Sequence, residues 1–244
     1  MLRARVLRAA RRAGLEPQLR RVQHVFASRE RRRDWRDNRQ IELLLAYALA
    51  DDSNCIDIGA SEGHILRHMV RLAPRGRHIA FEPLPDLAAG LETAFPGVDV
   101  RQCALYDEAG TQPFHRVRKG HWRSSLRPMG FAPSELDTFP VAVARLDDAL
   151  PGEYVPALLK IDVEGAEAGV LAGAARTLER HRPVVIFEHG AHAAHFSRGS
   201  DEVFAILAGA GLRVFDIDGG GPYDRAAFAE LVREGRLWTF VAHT

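Results

Sequence analysis

Cys55-Ile56-Asp57-Ile58-Gly59-Ala60-Ser61-Glu62-Gly63 is the stretch whose reading decides the fold. Its first four residues form a short apolar run with one acid in it, and Gly59 stops the run. Gly63 opens a segment to Ala73 in which Ile65, Leu66, Met69, Val70 and Leu72 recur at helical spacing. A buried strand passing through a glycine turn into an amphipathic helix is the opening half of a crossover unit. Downstream, 78–82 (HIAFE) reads as a second strand, followed by a helix entered through Pro85. A third strand spans 98–103. Upstream, Ile41, Leu44, Leu45 and Ala48 make 38–50 an amphipathic helix.

The rhythm breaks over 104–145, where 107–110 (DEAG) is a turn signal and 112–117 and 139–144 read as added strands around a polar loop. It resumes with a strand at 158–161, a helix at 164–180 and a strand at 184–187. Residues 201–210 (helix), 212–217 (strand), 224–234 (helix) and 237–242 (strand) follow. Strands alternating with helices imply crossovers and an α/β, doubly wound, mostly parallel sheet of seven strands, the last two forming a pair at one edge. At 244 residues the chain suits one large domain, expected at 38–244, with 104–145 inserted as a candidate substrate lid.

Residues 1–37 form a basic, Arg-rich arm. Residues 1–40 hold 13 arginines against four acids, a balance of +9, so the rest carries −8 beneath a formal total of +1. Such an arm can bind nucleic acid or an anionic surface, although only Phe26 and Trp35 are interleaved with its charges. No apolar run reaches the length of about 18 residues that a membrane span needs. The N-terminus lacks the apolar core of a secretion signal, so a cytoplasmic protein is expected. Cys55 and Cys103 lie in apolar runs and read as reduced core thiols, with neither metal nor disulfide spacing.

Ligands of open α/β sheets bind beyond the carboxyl ends of the strands, at the switch point. There Gly59 permits a tight turn and close approach of a ligand, and the amides at the helix start after Gly63 can hold a carboxylate. Asp57 or Glu62 can take an ammonium or order water. Glu82 ends the second strand 25 residues after Asp57, where an acid can accept hydrogen bonds from two ribose hydroxyls; Pro83 fixes the turn beyond it. These features call for an adenosine-bearing ligand. Gly59, Ser61 and Gly63 depart from the Gly-x-Gly-x-x-Gly pattern that serves a pyrophosphate, and Asp57 would repel one. The expected ligand is therefore S-adenosyl-L-methionine rather than NAD.

The fourth strand leads into Lys160-Ile161-Asp162-Val163-Glu164-Gly165-Ala166-Glu167. Here the chain resembles the FkbM family of methyltransferases. The resemblance covers about 53 to 190 and takes in 56–60 (IDIGA), 81–83 (FEP), Ala104-Leu105 before a turn, 145–147 (RLD), the long fourth-strand motif, and Arg182-Pro183 leading to Glu188. Ser61-Glu62 replaces the family's usual Asn-rich glycine turn, and the basic arm has no counterpart in it. The resemblance implies a Rossmann-like class I methyltransferase fold and O-methylation of hydroxyls on polyketides, sugars or cell-surface glycans. It implies that Asp57, Gly59, Glu82 and the backbone around Ala104-Leu105 bind S-adenosylmethionine; Ala60, Ser61, Glu62, Gly63, Pro83 and Asp162 are expected to bind it with them. It places Asp162 beside the transferring methyl.

An aliphatic hydroxyl is a poor nucleophile, so transfer needs in-line positioning and a group to take the proton. Asp162 suits that role, with Glu164 or Glu188 as alternatives. The spacing from Asp162 to Glu188 is similar to that of Mg-dependent O-methyltransferases, so these two acids are the candidate metal ligands; Glu188-His189 departs from their acid-Asn pair. His189, beside Glu188, is a candidate general base. His189, His192 and His195 could share a helical face as metal ligands, but no cysteine or fourth ligand joins them. Glu167 reads as helix-start chemistry, Lys160 as the partner of an acid, and His64 as structural. In the loop 115–134, Trp122 among basic residues can stack on a sugar ring; Ser125 and Glu164 are further candidate acceptor contacts. The competing readings are a nucleic-acid methyltransferase, which would be expected to carry an Asn/Asp-Pro-Pro-aromatic motif, a non-catalytic adenosine-ligand binding module, and an NAD-dependent dehydrogenase. The acceptor and any homo-oligomer are left open.

Overall fold

The computed structural model describes residues 29–244, so the arm before Arg29 lies outside the described residues. The chain divides into two units, Met1–Gln40 and Ile41–Thr244. Helix α1 (Arg29–Ala48) contains the periodic segment expected from Asn38. In the first unit, Arg36 Nε and Nη2 donate to Asp37 at 3.1 and 2.9 Å.

The second unit is built on a seven-stranded sheet. Its strands are β1 (Cys55–Ile58), β2 (Ile79–Phe81), β3 (Asp99–Arg101), β7 (Leu158–Ile161), β8 (Val184–Glu188), β9 (Arg213–Asp216) and β10 (Thr239–His243). They lie in the order β3-β2-β1-β7-β8-β10-β9. β10 runs antiparallel between β8 and β9, and the other pairings are parallel. This is the doubly wound, Rossmann-like architecture of class I methyltransferases. β1 and β7 are buried along their whole length because helices cover both faces, which is why they read as near-continuous apolar runs. Helix α2 (His64–Leu72) follows β1, and its Leu66 and Met69 pack with Ile41 and Leu45 of α1. Helix α3 (Pro85–Ala94) follows β2 with proline in its first turn, as expected.

The insertion forms a sheet of its own. β5 (Gly110–Val117) and β6 (Leu136–Ala144) make an antiparallel hairpin, and β4 (Ala104–Leu105) pairs parallel with the end of β6. Phe114, Leu126 and Val141 from it share a buried cluster with Leu84 and Ala104. A short helix α4 (Leu146–Ala149) leads on to β7.

The helix expected over 164–180 is two helices, α5 (Glu167–Gly173) and α6 (Ala175–His181). Glu164 and Gly165 sit in the left-handed region, at φ 53° and 98°, so no right-handed helix can start there. A second start is made by Asp147 of α4. Its carboxylate accepts from the Arg176 and Thr177 amides, both at 2.9 Å, and so satisfies donors that a new helix leaves open. Helices α7 (Ser200–Gly209) and α8 (Arg225–Arg233) complete the unit. No helix among the described residues is long and apolar enough to cross a membrane.

Candidate active site

β1, β2 and β3 step away from the centre of the sheet in one direction and β7 and β8 in the other, so the switch point lies between β1 and β7. A cleft of about 650 Å³, open at its mouth, occupies that position beyond the strand ends. The β1 turn contributes Gly59 and Ser61 to its wall, the β2 turn Glu82, Pro83 and Leu84, and the chain after β3 Cys103, Ala104 and Leu105. Asp162, Val163 and Glu164 line it from β7, and Phe114, His121, Trp122, Ser124 and Leu126 close it from the insertion. A mostly apolar concavity with a few convergent polar groups has the character of a small-molecule site.

Gly59 joins two strand ends. Its φ is 74°, and a Cβ there would stand 1.9 Å from the Asp162 carbonyl oxygen, so only glycine lets the β1 turn pass the β7 turn. The Asp162 amide donates to Ile58 O at 3.0 Å, and the Gly59 and Ala60 amides donate to Phe81 O. Ser61, also left-handed at φ 48°, donates its amide to Glu82 Oε2 at 2.8 Å. The Leu84 amide donates to Oε1 at 2.9 Å. One carboxylate thus ties the turns after β1 and β2 together at the cleft wall. Each oxygen takes one backbone donor and keeps acceptor capacity for another. Burial pushes the Glu82 carboxyl up, and the two amides oppose that shift.

Lys160 lies beneath the cleft. It is buried, opposite Asp57 in register, with Nζ 3.0 Å from Gly59 O, 3.2 Å from Asp57 Oδ1 and 3.4 Å from Asp162 Oδ2. Burial disfavours its charge, but Asp57, Asp162 and Glu188 outweigh that and hold its proton above the ordinary lysine range. Asp57 is 1% exposed and does not line the cleft; its carboxylate faces Lys160. Burial is also the main force pushing the Asp57 carboxyl up, with Lys160 drawing it back.

The insertion reaches the same cleft. His121 Nε2 lies 3.5 Å from the exposed Glu62, and Trp122 packs edge-on against His121 at a centroid distance of 5.5 Å. Trp122 is 63% exposed, an unusual share for an indole ring. Ser125 is buried, and its hydroxyl donates to Glu164 O at 2.9 Å; its neighbour Ser124 lines the cleft instead. The Glu164 carboxylate contacts His192 Nδ1 at 2.6 Å. Burial raises the Glu164 carboxyl while His192 lowers it, and the same hydrogen bond raises the His192 imidazole.

Among the candidates, Gly59, Ser61, Glu82, Pro83, Ala104, Leu105, Asp162, Glu164 and Trp122 meet around one cleft. Asp57, Ala60, Glu62, Gly63, Ser125, Glu188 and His189 are not part of its wall. His189 is sealed in the interior. Its Nδ1 lies 3.2 Å from Glu167 and its Nε2 3.0 Å from Ser200, and its ring stacks on Phe228, so it cannot serve as the base at the cleft mouth. Glu167 also accepts the Gly165 amide at 2.7 Å, which agrees with its reading as helix-start chemistry. His189 and His192 each contact a different glutamate, so the three histidines gather on no common face. His121, Phe114, Leu126 and the Glu164–His192 pair are site features that the sequence reading missed. The alternation of β5 and the basic-aromatic run after it were the available signals.

The chain matches the Methyltransferase FkbM domain over residues 57–214. It is 32% identical over 157 residues to Methyltransferase sdnD of Sordaria araneosa, the match covering 48% of this chain and 59% of that protein. To Methyltransferase 1 of Beauveria bassiana it is 30% identical over 146 residues, covering 50% of this chain and 59% of the relative. The chain therefore spans about three-fifths of the length of these two relatives. Among solved structures, Methyltransferase FkbM from Methylobacillus flagellatus superimposes with a TM-score of 0.48 at 17% identity, over 80% of this chain and 44% of the other.

Proposed function

This chain belongs to the FkbM methyltransferase family, and on that premise we propose that it is an S-adenosylmethionine-dependent O-methyltransferase acting on a hydroxyl of a small-molecule, sugar or glycan acceptor. The observation that carries the reading is the Glu82 carboxylate. It is fixed by the Ser61 and Leu84 amides at the switch point and opens onto an apolar slot floored by Ala104 and Leu105. The donor set fits the cofactor. Glu82 retains acceptor capacity for ribose hydroxyls, the slot suits an adenine ring, and Gly59 brings bare backbone to the cleft wall. S-Adenosylmethionine, when bound, supplies a methyl on a sulfonium centre that a hydroxyl can attack in line.

Asp162 would take the hydroxyl's hydrogen bond and then its proton as the methyl passes from sulfur to oxygen, the carbon–sulfur bond breaking to leave S-adenosylhomocysteine. Lys160 Nζ, 3.4 Å from Asp162 Oδ2, holds that carboxylate in place from below. Trp122 and the insertion over 104–145 cover the acceptor and exclude water. Because Asp162 is held against an ammonium, a metal is not needed to orient it, and none enters this reading. Residues 1–37 are proposed as an appended arm on a catalytic domain of 38–244; the division of the chain at Gln40 supports a boundary in this region.

Calorimetric titration with S-adenosylmethionine, S-adenosylhomocysteine and NAD tests the cofactor. Binding of the first two and not the third is expected, and a preference for NAD would end the proposal. Glu82→Ala should weaken cofactor binding about ten- to a hundredfold, since charge-assisted hydrogen bonds contribute roughly 1.5–3 kcal/mol each. Unchanged affinity would remove Glu82 from the site. With labelled methyl donor and a panel of polyols, phenols and glycans, Asp162→Asn should lower kcat by about 10²–10⁴, the range general-base catalysis supplies, while cofactor affinity stays within about threefold. Full activity of that variant would exclude Asp162 as the proton acceptor. A protein that binds the cofactor and methylates nothing in the panel would favour the binding-module reading.

A further inference from the structure

On the face of the domain formed by α1 and α2, Glu42 of α1 stands over His64 and His68 of α2. The two histidines are four residues apart, so one face of the helix presents both imidazoles a single turn apart. Glu42 Oε1 lies 3.4 Å from His68 Nε2 and 3.9 Å from His64 Nε2. One donor atom from each residue falls within 4.8 Å of the other two; among the described residues no other trio of His, Cys, Asp or Glu does so. Ligands held at 2.0–2.2 Å around a tetrahedral Zn²⁺ stand about 3.3–3.5 Å from one another. The Glu42–His68 separation already has that value. The others exceed it by an amount that rotation of the exposed His64 side chain can close. The rings stand at 71° to each other with centroids 5.6 Å apart, edge to face and not stacked.

We propose that Glu42, His64 and His68 form a binding site for a borderline divalent transition-metal ion, Zn²⁺ or its like. Two imidazoles and one carboxylate suit such an ion and not Mg²⁺ or Ca²⁺, which take oxygen ligands. Three protein ligands leave a fourth position for water. Because His64 is the first residue of α2, immediately after Gly63, the ion clamps the start of that helix to α1 and braces the end of the Gly59–Gly63 turn. The site is separate from the cleft and does not depend on the methyl-transfer reading.

The experiment is a calorimetric titration of the metal-free full chain with Zn²⁺, paired with Co²⁺ absorption spectra. One equivalent is expected whose affinity falls at least about a hundredfold in His64→Ala and in His68→Ala, since even the loss of an outer-shell partner costs 10–100-fold. The visible band of tetrahedral Co²⁺ should vanish in both variants, and Zn²⁺ should raise the melting temperature of the wild type but not of the variants. His64 is exposed, so its variant keeps the fold even if the half-buried His68 variant does not. Zn²⁺ bound by His64→Ala with wild-type stoichiometry, affinity and cobalt spectrum would place the metal elsewhere and overturn the proposal.

Discussion

Lys160→Met is expected to destabilise the protein by about 3–5 kcal/mol at neutral pH, the cost of removing one partner from a buried ion pair and stranding the other. Methionine matches the length of the lysine stem but leaves Asp57, 1% exposed, beside the Asp162 carboxylate with no neighbouring cation. Asp57 already has its carboxyl pushed up by burial, and Lys160 is what restrains that shift. Without the lysine the native pKa of Asp57 rises further. An acid whose native pKa lies above its unfolded one holds its proton more tightly when folded, so stability falls as pH rises from the unfolded value through the native one. The deficit of the variant relative to wild type should therefore be full at neutrality and shrink as pH drops. Chemical denaturation of both proteins at several pH values reads this out. Asp57→Asn added to Lys160→Met should recover much of the loss by neutralising the stranded group. A single variant with wild-type stability at pH 7, or a deficit that does not vary with pH, would show that the pair is not the charged contact described.

The same pair marks where sequence reading stops. That Lys160 would meet an acid followed from its place inside an apolar strand. Which acid depends on register, and β1 and β7 align so that Asp57 faces Lys160. β1 is covered on both faces, so its run of apolar residues carries no alternation from which to read which way Asp57 points. The residue was therefore expected to touch the cofactor, whereas it supports the turn from beneath. Glu82 and Asp162 were legible for the opposite reason. They stand just past strand ends, where the chain leaves the sheet at the switch point and side chains of either parity can reach a ligand.

The seven sheet strands were legible because each alternates with a helix of distinct period. The insertion's strands at 112–117 and 139–144 were legible too, but their pairing was not, because it is set by a hairpin turn and by cross-strand contacts such as Phe114 against Phe139, which no local period encodes. Ser125 shows the consequence. Its bridge to His115 turns its hydroxyl toward Glu164 and leaves Ser124 at the cleft. His189 failed as a base because β10 returns beside β8 and the Trp238 carbonyl takes its amide at 2.7 Å, a contact from a segment some fifty residues away. The break between α5 and α6 likewise depends on Asp147, which precedes β7 in the chain and reaches back across it.

Gly59→Ala should abolish cofactor binding, by more than about a hundredfold, and lower stability by roughly 3 kcal/mol, whereas Gly63→Ala should do less harm to both. Both glycines have φ 74°, so each substitution carries the strain of about 1–2 kcal/mol that a left-handed backbone imposes on an alanine. The two differ in what the methyl meets. At Gly63 it meets the ends of the Phe95 and Leu91 side chains, at 2.6 and 2.8 Å, which can rotate or shift. At Gly59 it meets the backbone oxygen of Asp162 at 1.9 Å, which can move only if β1 and β7 part. Parting them strains the Asp162-to-Ile58 and Gly59-to-Phe81 hydrogen bonds and draws Gly59 O away from the Lys160 ammonium. It also shifts Ser61 from Glu82, so that carboxylate loses one of the amides that fix it. Thermal melts and cofactor titrations on the two variants side by side test the argument. If Gly59→Ala bound S-adenosylmethionine as tightly as Gly63→Ala, close passage of the two turns would have no part in forming the cleft.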